Sequence, residues 1–304
     1  MHSSGAATAR WAVLLREQLC PRQPRCPTPE DSARCSCGAR DRVLELCQAI
    51  DDAARVVDVG LPRPARWRGQ TRRELLGHCA GAEAVRYRNT FDWVVSTREP
   101  FTEDRVIELH ERAVGSRAYR TCHVWADDGY RHPGAEEIPK LMRLAFARLN
   151  GADSAWPVPA RALGLHLDLL AAHPFTDGNG RTARLAAAGV LAGYGYKSTL
   201  LTAVEQFFHH APRAYLESLR HYRSARACRT RTIEQFLVAM AASSAAAAWA
   251  RANGLSQARA VAPDCEALSA SGLPAGLRDV ARRSLVAQLQ RIGMEEREAR
   301  GGSR

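Results

Sequence analysis

An all-α protein carrying one short β-hairpin is what this sequence predicts, and three observations predict it. Apolar residues recur at helical spacing in segment after segment. Residues of β type gather around a turn string at one place only, where Thr121, Val124, Trp125 and Tyr130 surround Asp127-Asp128-Gly129. No internal repeat exists that would build a solenoid or propeller. The length of 304 residues suits one or two domains, with a core large enough to need no disulfide or metal staple.

The elements follow in order. Residues 8–19 suit a short helix, and the Pro-, Arg-, Ser- and Cys-rich stretch 20–40 reads as a loop. A helix over 41–58 places Val43, Leu46, Cys47 and Ile50 on one stripe. Gly60, Pro62 and Pro64 end it. A long helical stretch runs from Thr71 to about Val95. Thr102 then caps a helix whose first turn holds Glu103 and Asp104, where the helix dipole favours carboxylates. Its buried face is Val106, Leu109 and Ala113, and His110 reads as an ordinary residue of a helix face. After the hairpin segment 120–133, Pro133 and Gly134 precede a helix to about Leu149. Pro157 and Pro159 open another, reaching about Ala172, and after a loop a further helix covers about Asn179 to Leu191. Helices near 203–224 and 230–253, a Ser/Pro/Gly/Ala linker over 254–275 and an amphipathic helix over about 276–297 complete the chain.

Composition narrows the function classes. Charged residues make up 25% and apolar residues 46%, which excludes a chain disordered throughout. The longest mildly apolar run, Phe236 to Ala250, is too short and too alanine-rich to span a bilayer. The first twenty residues lack the pattern of a secretory signal. A soluble, cytoplasmic protein with no membrane partner is the expectation. The net charge of +11 comes almost wholly from arginine, lysine occurring only at Lys140 and Lys197. Those arginines are scattered from Arg10 to Arg304 and not gathered on one stripe, which argues against nucleic acid as a partner. Nine cysteines cannot all pair internally. Cys20, Cys26, Cys35 and Cys37 lack the spacing of zinc knuckles and read as free thiols in a reducing compartment.

The chemistry is concentrated in His173-Pro174-Phe175-Thr176-Asp177-Gly178-Asn179-Gly180-Arg181-Thr182-Ala183-Arg184. The second half of this string sits at a helix N-terminus, where unpaired N–H groups and the dipole attract anions. Gly178 and Gly180 allow tight turning and close approach of a ligand, so the loop can form a phosphate-binding nest. Arg181 and Arg184 share a helix face beside it, and guanidinium forks match phosphate oxygens. Asp177 is suited to a magnesium ion that also binds phosphates. His173 stands where a neutral imidazole could take a proton from a nucleophile. Phe175 reads as a core anchor. A calcium loop fails in either register, because Thr182 or Phe175 falls on a required position. A zinc protease needs H-E-x-x-H, which is absent.

This string resembles the signature of the Fic family, His-x-Phe-x-Asp/Glu-Gly-Asn-Gly-Arg-x-x-Arg, at every specified position. The resemblance extends to His166, seven residues before His173, and to Tyr119-Arg120, Val124 and His132-Pro133, which resemble the family's target-positioning hairpin flap. Tyr215 and Leu219 fit the helix after the core. It covers about residues 70–245. The resemblance implies a Fic-fold helical bundle and three regions: an extension over 1–69, a Fic domain over 70–245 with an upstream candidate inhibitory helix at 70–95, and a linker and helix over 246–304.

The activity so implied is transfer of AMP from ATP to a hydroxyl of a target protein, with release of pyrophosphate. His173 would be the general base and Asp177 the magnesium ligand. Gly178, Asn179 and Gly180 would supply the anion hole. Arg181 would support the phosphates and Arg184 would grip the γ-phosphate. The intact Gly180 argues against the phosphorylating Doc-type branch. Many members are restrained by a Ser/Thr-x-x-x-Glu-Gly/Asn helix. The nearest string here is Cys79-Ala80-Gly81-Ala82-Glu83-Ala84, in which Glu83 would pair with Arg184. The same glutamate supports removal of AMP in at least one branch. A de-AMPylating phosphodiesterase and a non-catalytic nucleotide-binding module are therefore the alternative readings, and a homodimer is compatible with each.

Overall fold

The computed structural model describes residues 39–57, 81–97, 101–125, 130–152, 155–196, 204, 212–223, 229–238 and 240–241. The expected helices at 8–19 and 276–297, the N-terminal cysteines, Cys79, Ala80 and His209-His210 lie outside them.

The described residues are 78% helical and contain no strand. They form α1 (Ala39–Val57), α2 (Gly81–Ser96), α3 (Glu103–Val114), α4 (Ile138–Ala147), α5 (Val158–Ala172), α6 (Asn179–Gly193) and α7 (Pro212–Arg223), and residues 229–238 are helical too. A 3-10 turn, Ala135–Glu137, leads into α4, and a π-helical turn, Arg148–Ala152, follows it.

Local chemistry accounts for these boundaries. The Thr102 hydroxyl accepts a hydrogen bond from the Arg105 N–H at 3.3 Å, so the expected N-cap of α3 is present. Gly115 closes α3 in the left-handed conformation at φ 99°, its N–H reaching the Glu111 carbonyl. The stripe Val43, Leu46, Cys47 and Ile50 of α1 is buried, as its spacing requires.

The centre of the bundle is the pair α5 and α6, the most extensive helix–helix contact in the fold. Every residue from Ala162 to Leu170 is buried, and so is every residue from Thr182 to Ala192. Helices buried on all sides cannot be amphipathic, which explains their alanine, leucine and glycine content. Gly189 shows how tight the packing is. A Cβ there would lie 2.5 Å from Phe101 and 2.7 Å from Val94 of α2. Asp168 brings charge into this core and is compensated by Arg148 at 3.1 Å, Arg229 at 3.1 Å and the Tyr222 hydroxyl at 2.7 Å.

The described residues show a single antiparallel bridge, Trp125 to Arg131, with the His132 N–H donating to the Val124 carbonyl at 3.2 Å. The turn residues 126–129 lie outside the described residues. What holds the 120–133 segment is side-chain chemistry. Arg120 is buried and donates to the carbonyls of His173 at 2.7 Å, Cys122 at 2.8 Å and Pro133 at 2.5 Å. Its own N–H donates to the Pro174 carbonyl at 2.9 Å. One guanidinium thus ties both ends of the segment to the start of the 173–184 string.

Candidate active site

The 173–184 string joins the two central helices. His173 ends α5 in the left-handed conformation, at φ 48° and ψ 59°, with its N–H donating to the Leu169 carbonyl at 2.9 Å. It is the one non-glycine residue with positive φ among the described residues. Holding an imidazole there costs about 1–3 kcal/mol, which the surrounding contacts must offset.

Those contacts come from three sides. Phe175 is fully buried and stacks on His110 of α3, with ring centroids 3.6 Å apart and planes 6° from parallel. Asn179 closes a ring with the Phe175 main chain. Its Oδ1 accepts from the Phe175 N–H at 2.9 Å and its Nδ2 donates to the Phe175 carbonyl at 2.7 Å. His110 places Nε2 2.9 Å from the Asp177 carbonyl and Nδ1 2.6 Å from the Ser116 carbonyl. His110 is a helix-face residue, as expected, and from that buried face it also braces the loop. Its partner lies far along the chain, so local pattern carried no signal for the role. The Asn179 side chain likewise turns inward, so any contact it offers an anion is made by its main-chain N–H.

Gly178 caps α6 at φ 75°. A Cβ there would lie 2.4 Å from Val114 Cγ2 of α3. Both strain and overlap forbid a side chain, and Gly178→Ala is expected to destabilise the fold by roughly 2–5 kcal/mol. Urea unfolding checks this, and an unchanged midpoint would refute the account.

The expected ion pair is corrected in its partner. Glu83, in the first turn of α2, was expected to pair with Arg184, but the salt bridge it makes is with Arg181. The Arg181 guanidinium also donates to Asp177 Oδ2 at 2.8 Å. Arg181 therefore sits between two carboxylates. The reason is rotational. Arg181 lies in the first turn of α6 and faces α2, whereas Arg184, one turn further on, is buried. The Arg184 guanidinium lies over Gly180, whose Cβ would stand 3.0 Å from its Nη1. Glu83 keeps about a third of its side chain exposed, and Asp177 about three quarters.

His173 is pushed down to about 3, chiefly by burial, with His132, Arg223 and Arg120 adding positive potential. The Leu170 backbone works the other way. His166, fully buried with the Tyr215 hydroxyl 2.8 Å from Nε2, is also pushed down to about 3 by burial. Both rings are therefore neutral in the folded state at pH 5, whereas unfolded histidine charges near 6.5. Between these values the unfolded chain binds more protons, so stability rises with pH. The expected result is full stability above about pH 6.5 and progressive loss as the pH falls toward 3. Urea midpoints measured from pH 7.5 to 4.5 check it, and a flat profile would overturn it.

Comparison with known proteins bears on this geometry. Residues 100–191 match the family model described as Fic/DOC family. The chain is 30% identical over 166 residues to a protein of Nematostella vectensis named "Protein adenylyltransferase Fic", over 51% of this chain and 38% of that one. A Drosophila grimshawi protein of the same name is 30% identical over 143 residues, over 43% of this chain and 29% of that one. The chain thus spans well under half the length of these relatives. A solved Fic-domain-containing signaling protein from Bacteroides thetaiotaomicron superposes with a TM-score of 0.42 at 19% identity, over 83% of this chain and 97% of that one.

Proposed function

We propose that this chain, in which residues 100–191 match the Fic/DOC family model, is a protein adenylyltransferase. It would transfer AMP from ATP to a Ser, Thr or Tyr hydroxyl of a target protein. The observation that supports this best is the convergence in one loop of a buried, neutral imidazole, a glycine-lined helix N-terminus and two arginines.

In this reading His173 accepts the proton of the target hydroxyl as the oxygen bonds to the α-phosphorus, and the bond to pyrophosphate breaks. An imidazole that is neutral throughout the physiological range is always ready to accept. The α6 N-terminus at Gly178, Asn179 and Gly180 offers main-chain N–H groups to the phosphates. Arg181 and Arg184 neutralise phosphate charge. Asp177 fits a magnesium ion as a single, largely exposed carboxylate. No cluster of three or more His, Cys, Asp or Glu suited to a metal exists among the described residues. Such an ion would therefore depend on the triphosphate for its remaining ligands, as magnesium commonly does, and when bound it would draw charge from the phosphates.

Glu83 holds Arg181, so a triphosphate must displace that carboxylate before using the guanidinium. We read this as self-restraint. The pairing also supports a second reading, in which Glu83 orients water for removal of AMP. Labelling with α-labelled ATP and magnesium in a cell lysate separates them. Transfer predicts label on protein that rises in Glu83→Gly and vanishes in His173→Ala. AMP removal predicts that Glu83→Gly abolishes release of label from premodified protein. No label and no release in any variant would leave a nucleotide-binding module.

A further inference from the structure

His132 lies outside the 173–184 string, yet it makes the closest ring contact that His173 has among the described residues. Their ring centroids are 3.7 Å apart and the planes 24° from parallel. His132 is buried, at 2% exposure. Tyr130 meets its other surroundings edge-on, with centroids 5.2 Å apart and planes at 86°. The Arg223 guanidinium of α7 lies over the Tyr130 ring at 4.8 Å.

The stack is built from the backbone as well as from the rings. Arg120 donates to the carbonyl of His173 and to that of Pro133, the residue next to His132. One planar fork thus fixes the spacing between the two chain segments that carry the rings. His173 is in the left-handed conformation, so its side chain leaves the helix end at an angle no regular helix supplies. Its orientation must be set by what it packs against.

We propose that His132 is a positioning residue for His173, its ring covering one face of the base, fixing the imidazole's orientation and keeping water off it. The charged and titratable groups around the stack are Arg120 from the same segment, Arg223 from α7 and Tyr130. Two arginines and a second imidazole disfavour a proton on His173 before the reaction, and burial does so most. The proton taken from the target hydroxyl therefore creates an imidazolium against a flat ring and leaves it to solvent after pyrophosphate has gone. The base is kept empty until the oxygen forms its bond to phosphorus. This deepens the adenylyltransferase reading and rests on it for the chemical step, though the stack itself does not.

The experiment compares the wild-type chain with His132→Ala and His132→Phe in two measurements. Ring-labelled histidine NMR follows the titration of His173 in the free protein, its signal assigned by absence in His173→Ala. Transfer from α-labelled ATP is measured by short pulses across pH 3–8.5. His132→Ala is expected to raise the His173 titration point by about one pH unit or more, toward the ordinary histidine value. The acid limb of kcat/KM should move by the same amount, with kcat down about tenfold and KM for ATP within about twofold. His132→Phe retains a flat ring and is expected to keep kcat within about threefold, with the titration point rising less than in the Ala variant because burial is kept and only the imidazole's positive potential is lost. Should His132→Ala not fold, His132→Asn, which is too small to cover the imidazole, takes its place. An unchanged His173 titration in the Ala or Asn variant overturns the proposal, as does a His132→Phe variant that behaves like Ala. If the wild type transfers no AMP, the adenylyltransferase reading fails while the NMR arm still decides the stack.

Discussion

His173→Ala is expected to reduce adenylyl transfer by about 10³-fold, within the range that a positioned general base contributes. The geometry explains why nothing nearby can substitute. His132 is stacked face to face with His173 and so occupies a different point in space. His166 is fully buried against Tyr215. His110 is engaged with the carbonyls of Ser116 and Asp177. Stability should fall modestly, since the left-handed position stays strained with alanine and the stacked ring is lost. The proper readout is therefore single-turnover transfer, with a urea midpoint to show that the fold survives. Wild-type rates in His173→Ala would remove the base assignment.

The second large effect is expected at Glu83. Replacing it by glycine should raise transfer by about tenfold or more, the gain expected if the nucleotide-competent state is populated to about 10% in the free protein. The argument is about competition for one guanidinium. Arg181 is shared between Glu83 and Asp177, and both contacts involve groups that the proposed triphosphate site would use. Removing Glu83 takes one carboxylate from Arg181 and leaves its contact with Asp177. The pair itself adds little to folding, because Glu83 is about one-third exposed and solvent screens it. Its value lies in which state it favours. Arg181→Lys should blunt the effect, since an ammonium loses the two-pronged geometry. If Glu83→Gly transfers no faster than wild type while ATP affinity is unchanged, the restraint does not operate through this contact.

The two predictions carry different debts to sequence and structure. His173 could be read from the chain alone, because the loop string is long, gapless and chemically coherent. The N-cap at Thr102 and the buried stripes of α1 and α3 were equally legible, since capping and helical periodicity are local properties. Phe175 as an anchor followed from its place between polar neighbours, and it is fully buried. Of the hairpin, the described residues hold one antiparallel bridge, and a buried arginine ties its segment to the loop.

What the sequence determined by itself is the set of local facts: an all-helical chain, the helix ends, and a loop whose residues suit phosphate chemistry and a proton-accepting histidine. What only the tertiary structure decided is which distant groups meet them. Glu83 reaches Arg181 and not the arginine three positions on, because the packing of α2 on α6 sets the rotation of that helix. His110 braces Asp177 from 67 residues away, and Arg120 joins the carbonyls of His173 and Pro133 across 53 and 13. His132 covers His173 by the same long-range closure. Periodicity and capping act over a turn or two of chain. Helix phase and the meeting of remote segments are set by how side chains fill a shared core, and that is a property of the whole fold.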